Sequence, residues 1–162
     1  MDINSMINSL KGKYPTEIFS VDETSDILTI TVNKNCIKDL VRWLKDENGF
    51  GFLTDLCGIH IPGQVMELGV VYHLHNLPEN TRIRIKTFTT KDNPKMASIH
   101  EIFSAADWME RETFDFYGIK FVGHPNLTRI LNVEYMDYYP LRKEYPLEDA
   151  TRTDKDDRFF GR

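Results

Sequence analysis

The chain has 162 residues, one domain's worth, and a domain of that size buries roughly 70% of the surface its unfolded form exposes. Hydrophobic residues make up 41% and charged residues 28%, and a net charge of −5 with a pI of about 5.5 gives no global attraction to nucleic acid or an anionic membrane. The two cysteines, Cys36 and Cys57, cannot between them ligate an ordinary iron–sulfur cluster and are expected to be reduced, largely buried thiols of a cytoplasmic protein.

Ile3, Ile7 and Leu10 predict a short amphipathic helix over 2–12, broken by YPTE. The first ten residues, MDINSMINSL, lack the basic stretch and long apolar run of a secretion signal. No apolar run approaches the ~20 residues that cross a bilayer, so contact with a membrane is expected to go through a partner. Strands are predicted over 17–22 and 27–32, with the turn residues of DETSD between them. Ile37, Leu40, Val41 and Leu44 follow the i, i+3, i+4, i+7 spacing of a second helix that ends near Asn48-Gly49.

FGFLTDLCGIH resumes strand character and stops at Pro62-Gly63. Leu68, Val70, Tyr72 and Leu74 then alternate along the next strand. After the hairpin-length LPENT, Ile83 and Ile85 alternate with Arg82, Arg84 and Lys86. Such alternation marks a sheet with helices on one face and the other face solvated or docked. Past Asn93-Pro94, Ser98 and Glu101 fit a capping box, and Ile99, Ile102, Phe103, Ala106 and Met109 keep helical spacing. The helix they predict has a break near Ser104 and ends at Gly118. Beyond Leu131 the periodicity disappears. The expected fold is therefore α+β, a mixed, mostly antiparallel sheet with helices on one face. That domain covers 1–131, and an extended segment over 132–162, tyrosine-rich and then acid-rich from Glu148 to Asp157, is expected to order itself on a partner.

Chemistry-bearing side chains concentrate between Glu110 and Leu131. Glu110, Glu112 and Asp115 are acid/base candidates, and the i, i+3 spacing of Glu112 and Asp115 lets their carboxylates share one side of a helix. No nucleophile or phosphate loop lies near them, which favours ion pairs within the chain or with a partner. His73 and His75 project from one face of a strand and with His124 compose a possible three-histidine metal site. Without a His-Glu-x-x-His helix or a carboxylate second shell, ordinary half-buried histidines are the favoured reading, and His60 and His100 add no spacing of their own. Arg82, Arg84 and Lys86 either hold an acidic partner or face water.

The ordered run Glu110-Arg111-Glu112, Asp115, Tyr117-Gly118, Gly123-His124-Pro125, Leu127 and Arg129-Ile130-Leu131 resembles the signature of the 30-kDa subunit family of respiratory complex I. YPLRKEYPL, with Arg142 and Tyr145, is similar to that family's downstream segment, although Tyr138-Tyr139 stands where the family often has Gly-His. SIHEIFSAADWMERE also fits, so the resemblance covers essentially the whole chain. It implies a peripheral-arm subunit at the cytoplasmic face of a bacterial inner membrane. The chain would bind no cofactor or metal and have no catalytic residues of its own, with FMN and iron–sulfur clusters in partner subunits. Its neighbours would be the large 49-kDa-type subunit and the small cluster-bearing subunit of complex I.

On this reading Arg111 and Arg129 reach carboxylates or backbone carbonyls across an interface, the Gly118 and Gly123-His124-Pro125 turns present Phe121 and Leu127, and Phe114, Phe116 and Tyr117 divide between core and interface. Tyr135, Tyr138, Tyr139 and Tyr145 anchor the trailing segment. Two alternatives stand beside it: a homologous subunit of a membrane-bound hydrogenase or F420-linked dehydrogenase, and a free-standing metal hydrolase built on His73, His75 and a carboxylate.

Overall fold

A computed structural model describes residues 3–23 and 27–145, so the trailing segment is described as far as Tyr145 and its remainder, including the acid-rich stretch from Glu148, lies outside the described residues. In chain order the elements are α1 (Ile3–Lys13), β1 (Ile18–Asp22), β2 (Leu28–Val32), α2 (Ile37–Asn48), β3 (Phe52–His60) and β4 (Leu68–Asn76). They continue with β5 (Thr81–Thr89), β6 (Lys95–Ala97), α3 (Ala106–Tyr117) and β7 (Lys120–Val122). Five strands form one sheet in the order β1-β2-β5-β4-β3, antiparallel except for the β2–β5 pair. The mixed α+β class expected from the sequence is what the chain adopts.

Period-two alternation decides which face of the sheet is dry. Ile30, Val32, Leu53, Leu56, Leu68, Val70, Tyr72, Leu74, Ile83 and Ile85 all share one face and are buried. Ile37, Leu40, Val41 and Leu44 of α2 and Met6 and Leu10 of α1 belong to the same core. Helix α2 ends where Gly49, at φ 74, returns its N–H to Leu44 O, the left-handed cap that glycine adopts without a Cβ penalty. The opposite face carries Thr29, Arg82, Arg84, Lys86, His73 and His75. Among the described residues no helix is long and apolar enough to cross a membrane.

The third helix is shorter than its spacing predicts. Lys95–Ala97 is a strand, not a helix start, and pairs in parallel with Lys120–Val122, so α3 is the crossover between two short strands. Ile99, Ile102 and Phe103 mimic helical spacing because one tight turn, in which the N–H groups of Ile102 and Phe103 both reach Ile99 O, drops all of them into the core. The Ser98–Glu101 capping box does not form, since Glu101 pairs with Lys38 and Ser98 turns inward to Glu110. Cys36 is buried as expected, but Cys57 is exposed because its position on β3 alternates to the open face.

Gly118 ends α3 as expected, at φ 76 with its N–H on Phe114 O. A Cβ there would lie 2.5 Å from the Tyr139 ring and 2.7 Å from Arg142 Nη2. Gly118→Ala is expected to cost about 1–2 kcal/mol for the left-handed backbone alone, and more as Tyr139 is displaced, read as a lower midpoint in thermal unfolding.

Candidate functional site

The residues from Glu110 to Arg142 build one structure, a clamp that lays the irregular chain after β7 along α3. Its centre is Asp115, fully buried. One carboxylate oxygen accepts from Arg129 Nη1 at 2.7 Å; the other accepts the backbone N–H groups of Ile130, Leu131 and Asn132 at 3.1, 2.8 and 2.9 Å. Burial alone would raise the Asp115 pKa. The N–H of Asn132, the Arg129 guanidinium and the N–H groups of Leu131 and Ile130 outweigh it, holding the carboxyl well below the usual carboxylate range.

Helix α3 leaves its last carbonyls without intrahelical partners, and the trailing chain supplies donors for them. Arg129 Nη1 donates to Asp115 O at 2.9 Å, the Leu141 N–H to Phe116 O at 3.2 Å, and Arg142 Nε to Tyr117 O at 2.8 Å. Two guanidinium groups at a helix C-terminus are also favoured by the helix dipole. Arg129 extends further, with Nη2 on Met136 O and Tyr138 O. The Tyr139 ring lies between Arg129 and Arg142, 5.2 and 4.6 Å from their guanidinium carbons, and meets Phe114 edge-on. Beyond it the Lys143 N–H donates to His60 Nδ1 at 2.9 Å, tying the segment to the end of β3.

The other end of α3 is fastened as well. Arg111 donates to Thr128 O and Arg129 O and stacks on Trp108. In the Gly123-His124-Pro125 turn, His124 Nδ1 accepts the Asn126 N–H, which leaves Nε2 as the donor to Asp107 O at 3.1 Å. His100 lies against His124, ring centroids 5.9 Å apart. Glu110 is fully buried under the helix. It accepts Ser98 Oγ–H at 2.5 Å and the Ile99 N–H at 2.7 Å, which hold the β6–α3 connection. Burial pushes the Glu110 pKa up to about 7, with Asp107 adding to the rise, while Ser98, the Ile99 N–H and Lys38 oppose it.

This geometry corrects several expectations. Arg111 and Arg129 donate within the chain, to carbonyls of the segment they organise and, for Arg129, to the Asp115 carboxylate. Phe121 is not presented outward; it alternates into the core on β7, and Leu127 packs partly against that core. Glu112 is exposed while Asp115 is buried, so they do not form a pair; the i, i+3 offset here straddles the boundary of the helix's buried face. His73 and His75 lie on the open sheet face and His124 beneath the first turn of α3, and among the described residues no three histidine, cysteine or acidic side chains converge as metal ligands. Tyr139 is an internal wedge, whereas Tyr135 is 87% exposed and Tyr138 and Tyr145 stand partly outward with their rings in contact. Sequence reasoning missed Ser98 as a carboxylate donor and His60 as the anchor of Lys143, since neither has a local pattern.

Comparison with known proteins agrees with the motif. The family model described as "Respiratory-chain NADH dehydrogenase, 30 Kd subunit" matches residues 30–151, which include the whole clamp. A relative from Citrifermentans bemidjiense, named as a subunit of its NADH-quinone oxidoreductase, is 36% identical over 149 residues, covering 92% of each chain. The equally named relative from a Roseiflexus species is 36% identical over 165 residues, covering 99% of this chain and 95% of its own. Among solved structures, a chain of the membrane-bound sulfane sulfur reductase, an archaeal respiratory membrane complex, superposes with a TM-score of 0.74 at 26% identity, over 89% of this chain and 85% of that one. The match to that family model over residues 30–151, with relatives 36% identical over nearly the whole of both chains, places this protein in the family of the respiratory-chain NADH dehydrogenase 30-kDa subunits.

Proposed function

We propose that the chain is a redox-inert structural and assembly subunit in the peripheral arm of a proton-translocating NADH:quinone oxidoreductase. In that role it binds no flavin, cluster or metal, contributes no catalytic residue, and supports electron transfer from NADH through FMN and iron–sulfur centres in neighbouring subunits to quinone. Its partners are the large 49-kDa-type subunit and the small cluster-bearing subunit, on the cytoplasmic face of a bacterial inner membrane.

One observation carries the reading. The clamp directs Glu110, Asp115, His124 and Arg129 inward and leaves Leu131, Val133, Tyr135, Tyr138, Leu141 and Tyr145 exposed along a single segment, with Leu131 at 67%. Solvated loops rarely hold so many large apolar side chains outward in a fixed conformation, whereas the core of a protein interface does. Preorganising the segment on α3 lowers the ordering entropy that docking would otherwise cost.

The test is co-purification. Leu131→Asp combined with Tyr135→Asp is expected to reduce recovery of the large subunit with this chain by about a hundredfold, the loss of two interface anchors. Normal recovery of the companions, with electron transfer alone lost, would contradict the role. A second reading, a homologous subunit of a membrane complex fed by another electron donor, is favoured by the likeness to the sulfane sulfur reductase chain. The donor oxidised by the purified complex separates the two.

A further inference from the structure

The clamp makes no use of the open face of the sheet. On β5 that face presents Arg82, Arg84 and Lys86 at alternate positions, and in antiparallel register on β4 His75 stands beside Arg82, His73 beside Arg84 and Val71 beside Lys86. In a chain of net charge −5, three cations in a row on a central strand should draw carboxylates from the flanking strands. Among the described residues none forms an ion pair with any of them; unlike Lys34, Lys45 and Arg111, which also lack one but donate to neutral oxygens, Arg82 and Lys86 have no side-chain acceptor there either.

Arg84 is oriented instead by an uncharged acceptor. Its Nε donates to His73 Nε2 at 2.8 Å, which leaves the ring proton on Nδ1, 3.6 Å from Asp55 Oδ2. Partial burial and the Arg84 charge hold the His73 pKa below its ordinary value, so the ring stays neutral while it positions the guanidinium. The terminal nitrogens of Arg84 have no acceptor among the described residues. Phe52, 49% exposed and opposite His75 on β3, gives the face an apolar margin.

We propose that this face is a second docking surface, taking an acidic segment of a neighbouring polypeptide of the complex; the inference rests on the assembly role proposed above. Alternate positions on a strand are about 7 Å apart, close to the spacing of carboxylates at alternate residues of a facing strand or at i, i+4 of a facing helix. Planar guanidinium forks with free N–H groups suit carboxylates. A polyphosphate or an anionic lipid surface fits less well, because Asp55 and the apolar margin lie within the face and the chain as a whole is acidic.

The experiment purifies the whole complex through a tag on another subunit and measures how much of this chain stays bound as salt is raised. Arg82→Glu with Lys86→Glu is expected to lower retention about tenfold near 0.15 M salt, with a smaller loss for Arg82→Ser with Lys86→Ser and full recovery for Arg82→Lys with Lys86→Arg. Undiminished retention of the reversal variant at every salt concentration overturns the proposal, as does an equal loss in the charge-conserving variant. Binding of the wild-type chain to phosphatidylglycerol vesicles, abolished by the reversal while the complex stays intact, overturns it in favour of lipid. If the Leu131 and Tyr135 variant detaches the chain and the charge reversal does not, the assembly role stands and this inference alone fails; if neither detaches it, both fail.

Discussion

Asp115→Ala is expected to lower the unfolding free energy of the chain by about 3–5 kcal/mol, the largest effect of any single change in the signature. The carboxylate is fully buried and faces four donors, Arg129 Nη1 and the N–H groups of Ile130, Leu131 and Asn132. Removing it leaves a largely buried guanidinium without its counter-charge and those amides without an acceptor. Asp115→Asn, although equal in size, is expected to be nearly as damaging, because its amide group brings a fifth donor to a site that has only donors. The folded-state pKa of Asp115 is depressed, so its stabilisation is fully present above its ordinary value of 3.8 and is lost as pH falls through the lower folded value. Urea unfolding at pH 7 measures the loss. Hydrogen exchange supplies a local readout, in which the amides of residues 130–132 should lose protection even under native conditions. A variant with wild-type stability and protected amides would mean that the segment is held by its other contacts and that Asp115 is not the centre of the clamp.

Elements with one apolar face were legible in the sequence. Leu40, Val41 and Leu44 predict α2 because a helix on a sheet must bury that stripe, and Ile83 and Ile85 assign the faces of β5 because strand periodicity has one solution. The start of α3 was not legible. The apolar spacing of Ile99, Ile102 and Phe103 is equally compatible with a tight turn, and the deciding event, pairing of Lys95–Ala97 with Lys120–Val122, is a contact between distant parts of the chain. The clamp divides along similar lines. Its residues could be named from the order of the motif, but an arginine carries no mark of whether its acceptor is a neighbouring subunit or a carbonyl of its own chain. Arg129 meets Asp115 and Arg142 meets Tyr117 only once Gly118 has turned the chain back along the helix. What the clamp leaves outward is the apolar residue between the polar ones, such as Leu131 or Tyr135.

Glu110→Gln is expected to leave the chain as stable as wild type near pH 4.5 and to make it more stable, by up to roughly 3 kcal/mol, at pH 8. The sign follows from the raised pKa. Glu110 moves from an ordinary value of 4.5 to about 7 in the folded chain, mainly through burial, so the native state holds a proton that the unfolded state has released between those values. Its contribution is fully present below 4.5 and is lost as pH rises through 7. Glutamine imitates the protonated form: its oxygen can accept the Ile99 N–H, its amide can donate to Ser98 Oγ, and it carries no charge to desolvate beside Tyr72 and Asp107. The depressed pKa of His73 works in the opposite direction over a neighbouring range, and that of Asp115 acts only at lower pH, so the informative quantity is the difference between the two proteins rather than either profile alone. Chemical denaturation from pH 4.5 to 8 measures that difference. Parallel profiles would show that Glu110 is ionised in the native state throughout, held by Ser98, Ile99 and Lys38 strongly enough to cancel its burial. A difference that opens above pH 4.5 and levels off past 7 would identify Glu110 as a carboxylic acid kept largely protonated below neutral pH on the buried side of α3, joining the β6 connection to the helix by neutral hydrogen bonds.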